Sequence, residues 1–405
     1  MNIANSIVAE APFVPKARRT TGQIVLVLQG GGALGAYQAG VYQALHEARI
    51  EPDWVIGTSI GAINASLIAG NAVADRLDHL RAFWQRVRRP DLANPGWPWR
   101  GVFDAASDWL TLIGGVPEFF APNPQAYWGS HFRLGAERAG FYSTTPLEAM
   151  LNELVDVKLL NGGTPRITVG AANVRTSEMR YFDSRACEIT VRHIMASGAL
   201  PPAFPAVRIE DEYYWDGGIL SNTPTEAIFD DDPRRNSLVF AVCVWSPEGR
   251  PPETIWDVLN RQKEIQYSSR VASHIVRQRQ LHRLRHVISE LGRRLPDDQR
   301  ESPEVRELTQ YGCLTRMHVV RLLAPRLDDD DHTKDIDFSA SGIRMRWEAG
   351  YAAAAGAITR APWTGEFDPL EGVILHEPTT LEAQDPSWPE SEQPLKNAGF
   401  GLTRR

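Results

Sequence analysis

Short apolar runs alternate with stretches of helical spacing along most of this chain. The run "IVLVL" (24–28) is apolar at every position, the pattern of a strand buried on both faces. "GAYQAGVYQALHEA" (35–48) carries Tyr37, Val41 and Leu45 at helical spacing and predicts a helix. "DWVIG" (53–57) predicts a second strand, and "SIGAINASLIAG" (59–70) a small-residue helix closed by Gly70. Strand, helix, strand, helix implies parallel strands joined by right-handed crossovers. Further strands are predicted in 165–174, 178–184, 237–245 and 317–325. The fold class is α/β, with a mostly parallel central sheet flanked by helices.

Two segments depart from that alternation. Residues 94–128 are rich in Trp, Phe, Pro and Gly with few charges. They read as an irregular segment packed on the core, with an apolar lid or membrane-touching surface as the functional alternative. Within 255–295, Val271, Ile275, Leu281, Leu284, Ile288, Leu291 and Leu295 recur at spacings that predict a long amphipathic helix. Its polar face carries Arg270, Arg277, Arg279, Arg283, Arg285, Arg293 and Arg294. Such a face lies on anionic lipid in some proteins, but more often it is solvated or paired with acids, and that is the expectation. Residues 1–22 read as a flexible arm, "DDDDH" (328–332) as a solvated loop, and 361–405 as a loosely packed tail.

Length and composition narrow the class. The 405 residues suffice for one large domain with additions, or for two. The chain is 43% hydrophobic and 23% charged, as in ordinary globular proteins. A formal net charge of −7 gives no ground for nucleic-acid binding. Cys187, Cys243 and Cys313 lie far apart without metal-ligand spacing, and are expected as buried thiols in a reducing compartment. No metal or cofactor is expected. The N-terminus lacks a secretory pattern and no apolar run is long enough to span a bilayer. The expectation is a cytoplasmic protein whose membrane contact is at most peripheral.

The chemistry concentrates in three places. Gly30, Gly32 and Gly35 fit G-x-G-x-x-G between a strand and a helix. A dinucleotide site would put an acid at the end of the second strand. Here Asp53 starts that strand, and its end runs into "GTSIG" (57–61). That is G-x-S-x-G in the strand-to-helix setting the motif requires. Gly57 and Gly61 keep the turn small. Ser59 is then lifted above the sheet, where the helix dipole favours negative charge on its oxygen. The bland alternative is a helix N-cap serine.

A nucleophilic serine needs a base and donors for the oxyanion. Backbone N–H groups of Gly31, Gly32 and their neighbours can converge on one point because no side chain blocks approach. His193, His274, His282, His286, His318, His332 and His376 are candidate bases, but none sits in a recognisable loop after a strand. "YYWDGGILSNTP" (213–224) instead offers Asp216 followed by Gly217 and Gly218 after an aromatic strand. Taken alone, that pattern also reads as a D-G hairpin turn.

Together these blocks resemble the patatin-like phospholipase family. Its pattern is a glycine-rich oxyanion loop, then G-x-S-x-G, then D-G-[A/G]. Here those are "GGGALG" (30–35), "GTSIG" (57–61) and "DGG" (216–218), in that order. "MASGALPPAFPAV" (195–207) further resembles the family's A-S-x-A-x-P-x-x-F-P segment. The resemblance covers roughly residues 22–245, and the end of the fold reaches about 325–360. Residues 334–354 resemble an extension found in a bacterial subgroup.

The resemblance implies a three-layer patatin-like fold. Its catalytic domain would span 23–245 with the aromatic insertion 94–128, and a helical extension, 246–360, would complete it. It also implies a Ser-Asp dyad without histidine. Ser59 would be the nucleophile and Asp216 the base. Gly30, Gly31, Gly32 and Gly35 would form the oxyanion loop, and Gly57, Gly61, Gly217 and Gly218 would support the motifs. The implied substrate is a lipid acyl ester, a phospholipid or lysophospholipid, cleaved through an acyl-enzyme. A hydroxyalkanoate oligomer or polyester is a rival substrate for the same dyad. An acyltransferase using the same serine is the other class; acyl-carrier transacylases usually place a histidine where Thr58 stands here. Asn64, Asn173 and Asn222 are expected as cap or turn residues, and Asp183 as a structural strand-end acid.

Overall fold

The computed structural model describes residues 22–90, 116, 118–128, 131–326 and 333–377, with the side chains of 127, 128 and 269–273 excepted. The expected N-terminal arm up to Thr21, most of the aromatic insertion, the acidic run 328–332 and the tail beyond 377 lie outside the described residues.

Among the described residues, nine strands form the main sheet. They are β1 (Gln23–Leu28), β2 (Trp54–Thr58), β3 (Arg166–Asn173), β4 (Met179–Asp183), β5 (Val207–Ile209), β6 (Glu212–Asp216), β7 (Ser237–Cys243), β8 (Met317–Leu323) and β9 (Val373–His376). From β9 through β8, β7, β1 and β2 to β3 all neighbours are parallel. At β3 the sense changes: β4 and β6 both pair with it antiparallel, and β5 adds antiparallel to β6.

The unbroken apolar character of the central strands follows from burial on both faces. Ile24, Leu26 and Leu28 of β1 enter one core, with Leu238, Phe240 and Val242 of β7. Val25 and Val27 enter the opposite core, with Val239, Ala241 and Cys243. Helices α1 (Ala36–Glu47), α2 (Ile60–Ala69), α3 (Arg76–Arg86), α4 (Thr145–Leu154), α5 (Val191–Ser197) and α7 (Ala340–Arg360) contribute to the first core. The 40-residue α6 (Ile255–Arg294) contributes Ile275 to the second. The mostly parallel sheet between helical layers is the expected α/β class. No helix among the described residues is long and apolar enough to cross a membrane.

The six strands expected from apolar runs are present: β1 gains Gln23, β2 is shifted by one residue to Trp54–Thr58, and the other four are trimmed by one or more residues. Strands β5 and β9 were not expected. β9 is a correction to the loose tail proposed from 361: Val373–His376 pairs with Met317–Val320 at the sheet edge.

The long helix needs a correction as well. Ile275 is buried, but Leu281, Leu284 and Leu291 are exposed. The buried positions include Glu264, Ser268, His282 and His286. His286 is accommodated there by the carbonyls of Pro369 and Thr315, at 3.1 and 2.9 Å, and His282 lies edge-on to the Phe229 ring at 5.9 Å. The basic face pairs with acids, as in Arg279–Glu371 and Arg294–Glu290.

The cysteines differ from expectation too. Cys243 is buried within β7, but Cys187 is exposed and Cys313 only partly covered. Both of these lie in irregular segments outside the strands that build the core.

Candidate active site

β2 ends at Thr58 and α2 starts at Ile60, so Ser59 alone makes the turn. Its backbone sits at φ 57° and ψ −127°, a strained conformation for a residue with a side chain. The turn is tight enough that a Cβ on Gly57 would lie 2.3 Å from the Gly61 carbonyl oxygen. A Cβ on Gly61 would lie 2.1 Å from that of Leu28. The Ser59 N–H donates to Ser197 Oγ at 2.9 Å, and Ser197 Oγ donates to the Gly170 carbonyl at 2.6 Å. The elbow is thereby tied to β3 through a buried hydroxyl.

The same strand places Asp216. Thr58 pairs with Gly170, and Asp216 at the end of β6 pairs with the next residue, Ala171. Asp216 is 2% exposed. Its Oδ1 accepts the Gly218 N–H at 2.7 Å, and it lines the same cavity as Ser59. Burial pushes its pKa from the ordinary 3.8 up to about 6, against the Ser59 hydroxyl and the Gly218 N–H, which favour the ionised form. At neutral pH the carboxylate is ionised and is a stronger base than an ordinary aspartate.

The glycine loop is fixed from behind. The Gly30 carbonyl accepts from Trp245 Nε1 at 2.8 Å and Asn222 Nδ2 at 3.1 Å, while the Gly30 N–H donates to the Asn222 carbonyl at 3.2 Å. Gln29 is fully buried with both ends of its amide bonded. Its Oε1 accepts from the N–H groups of Val244 and Trp245 at 2.6 and 3.0 Å. Its Nε2 donates to Thr223 Oγ1 at 2.7 Å and to the Tyr267 carbonyl at 3.1 Å. Gln38 Nε2 reaches the Gln29 carbonyl at 2.5 Å, and Asn64 Nδ2 bonds Gln38 Oε1 at 2.9 Å and the Gly35 carbonyl at 3.0 Å. A satisfied buried network of this kind rigidifies the loop it holds. Among the described residues, the N–H groups of Gly31 and Gly32 have no acceptor.

Ser59, Asp216, Gly30, Gly31, Gly32 and Gly218 line one cavity of about 170 Å3. Its other walls are largely apolar, among them Phe119, Phe120, Leu147, Phe204 and Phe338. Phe119 and Phe120 come from the aromatic insertion, whose earlier part lies outside the described residues. No histidine lines this cavity among the described residues. His193 caps α5, and His318 stacks on His376 at the sheet edge.

Four expected site residues stand behind the cavity rather than on it. Gly35 packs against Ile60, and Gly57 and Gly61 close the elbow. Gly217 lies on β3, where a Cβ would come within 2.6 Å of the Gly170 carbonyl oxygen.

Asn173 caps its own turn and Asp183 pairs with Arg166, as expected. Asn64 and Asn222, expected as cap or turn residues, instead hold the glycine loop. Gln29, Ser197 and Tyr267 were not anticipated. Gln29 had a signal, being the polar residue that ends an apolar strand immediately before the glycines. Ser197 lies inside the block 195–207.

Family models and curated relatives bear on the family of this chain. A family model described as patatin-like phospholipase matches residues 26–229, and a second, described as patatin phospholipase, matches residues 265–370. The lysophospholipase nte1 of Aspergillus niger is 28% identical over 254 residues, covering 60% of this chain and 14% of that protein. The lysophospholipase nte1 of Neurospora crassa is 27% identical over 246 residues, covering 60% of this chain and 13% of that protein. The chain thus spans about one seventh of the length of these curated relatives. Among solved structures, VipD from Legionella pneumophila matches with a TM-score of 0.39 at 17% identity, covering 84% of this chain and 67% of that one. With the first model running from β1 through the turn that carries Asp216, this chain belongs to the patatin-like phospholipase family, a family of lipid acyl hydrolases.

Proposed function

We propose that this chain is a serine acyl hydrolase that cleaves lipid acyl esters, phospholipid or lysophospholipid, by a Ser59–Asp216 dyad. The observation that carries this reading is a buried Asp216 carboxylate beside the Ser59 hydroxyl, both facing two unpaired glycine amides in one largely apolar cavity.

Asp216 takes the Ser59 Oγ proton as Oγ attacks the ester carbonyl carbon. The carbonyl oxygen becomes an oxyanion and accepts from the N–H groups of Gly31 and Gly32. Collapse breaks the ester C–O bond, and the leaving alkoxide takes the proton from Asp216 and departs as the alcohol. Water then gives a proton to Asp216 and its oxygen to the acyl carbon. The second collapse releases the carboxylic acid and returns the proton to Ser59. The dipole of α2 favours the developing charge on Ser59 throughout.

The apolar walls suit an acyl chain. The relatives are named as lysophospholipases, which favours a glycerolipid ester over the polyester and acyl-transfer alternatives. We place the substrate at a lipid surface reached by peripheral contact.

Hydrolysis of lysophospholipid and phospholipid by the wild type, Ser59→Ala and Asp216→Asn tests the reading. Both variants are expected to lose activity, and a fluorophosphonate is expected to label Ser59. Full activity in either variant, or labelling at another residue, would sink it.

A further inference from the structure

The C-terminal extension reaches the glycine loop through the Asp335 carbonyl. The Ala33 N–H donates to the Asp335 carbonyl at 2.9 Å, and a Cβ on Gly32 would lie 2.2 Å from that same oxygen. Gly32 sits at φ +54°, so its backbone is bent to let Asp335 approach. The Asp335 carboxylate is gripped by Lys263 Nζ of α6, at 2.7 Å to one oxygen and 3.0 Å to the other.

Either side of this contact is anchored. Glu264, next to Lys263, is buried and accepts from Lys334 Nζ at 2.8 Å, Arg326 at 2.6 Å and Arg261 at 3.0 Å. Lys334 precedes Asp335, so the buried hub ends where the exposed pair begins. One turn along α6, the Tyr267 carbonyl accepts from Gln29 at the root of the glycine loop. Tyr267, Asp335, Ile336 and Phe338 all line the cavity that holds Ser59.

We propose that Lys263 is a positioning residue for hydrolysis: by holding Asp335 it sets the loop that aims the Gly31 and Gly32 amides at the oxyanion. This rests on the dyad reading above. The Lys263–Asp335 pair is partly exposed, with side chains 37% and 20% accessible. A pair of that kind adds little to folding stability. Its effect falls on geometry, to which a catalytic centre is sensitive at the scale of an ångström.

The test compares wild type, Lys263→Met, Lys263→Arg, Asp335→Asn and the Lys263→Met/Asp335→Asn double variant in the full chain, with lysophospholipid as substrate. Lys263→Met is expected to lower kcat about tenfold, a fraction of what loss of an oxyanion donor costs. KM and melting temperature should stay near the wild-type values. Lys263→Arg should restore most of kcat, and the double variant should be no slower than the slower single variant. Unchanged kcat in Lys263→Met, an effect confined to KM, no rescue by arginine, or losses that multiply in the double variant would each overturn the proposal. Ser59→Ala, assayed alongside, separates the two ideas. If it still hydrolyses the substrate, the dyad reading fails; if it is silent while Lys263→Met is fully active, only the positioning role fails.

Discussion

Thr58 and Asp216 pair with neighbouring residues of one strand, Gly170 and Ala171. This register is what brings Ser59, one residue after Thr58, against a carboxylate far away in sequence. β3 acts as a ruler, and a slip of one residue on either partner would turn a side chain to the other face of the sheet. Gly217 keeps the distance short, since a Cβ there would lie 2.6 Å from the Gly170 carbonyl oxygen. Both atoms belong to backbone-fixed positions, so Gly217→Ala must displace the Asp216 turn. The expected result is a folded protein whose kcat/KM falls by about 100-fold, as for an ångström-scale misplacement. Steady-state kinetics beside circular dichroism checks it, and wild-type kcat/KM would refute the ruler.

Acid titration follows from the burial of Asp216. With its pKa near 6, activity should rise about tenfold per pH unit below 6 and level off above it. Stability runs the other way. Below 3.8 the carboxyl is protonated in both folded and unfolded chains. Between 3.8 and about 6 the folded chain holds the extra proton, so the contribution of this group declines as pH rises and stays low above 6. Asp216→Asn, inactive, should therefore melt higher than the wild type at pH 8, with a smaller difference at pH 4. The pH profile of kcat/KM and calorimetry at the two pH values test both signs.

The parts of this site visible in the sequence are those dictated by local backbone geometry. Gly57, Ser59 and Gly61 form a turn that only small neighbours allow, and Asp216-Gly217-Gly218 forms another, so both leave short patterns. Apolar runs likewise showed the central strands, because burial on both faces demands them. The supports behind the glycine loop are long-range and leave no such pattern. Asn222 looks like any turn asparagine until its Nδ2 is found on the Gly30 carbonyl. Lys263 and Asp335 meet across 72 positions with no motif at either end. On α6, helical spacing pointed to the leucines, whereas His282 and His286 are buried because carbonyls and neighbouring rings receive them.

Ser197 shows how much one buried hydroxyl contributes. It is fully buried, accepts from the Ser59 N–H and donates to the Gly170 carbonyl. Ser197→Ala leaves both backbone groups without a partner, at a cost of about 1–3 kcal/mol. It also frees the strained Ser59 backbone to relax. The expected outcome is a lower melting temperature together with reduced kcat, at little change in KM. Loss of stability with unchanged kcat would mean that the elbow holds its shape without this bond.

The cavity walls set the acyl chain that fits. Ala203 and Phe204 follow Leu200 in the loop after α5, and all three line the cavity together with the insertion residues Phe119 and Phe120. Phe120 packs edge-on against Phe204 at 5.5 Å and Tyr142 at 4.9 Å, so this wall is an interlocked aromatic group with little room to yield. Ala203→Leu adds a branched side chain to a rigid lining and takes volume from the bound chain. Each methylene excluded from an apolar site costs about 0.8 kcal/mol of binding. The variant should therefore keep activity on butanoyl esters and lose it progressively towards palmitoyl esters. The loss should appear in kcat/KM, which a p-nitrophenyl ester series measures directly. A uniform loss across all chain lengths would place the acyl chain elsewhere and would assign this wall to the alcohol portion of the substrate.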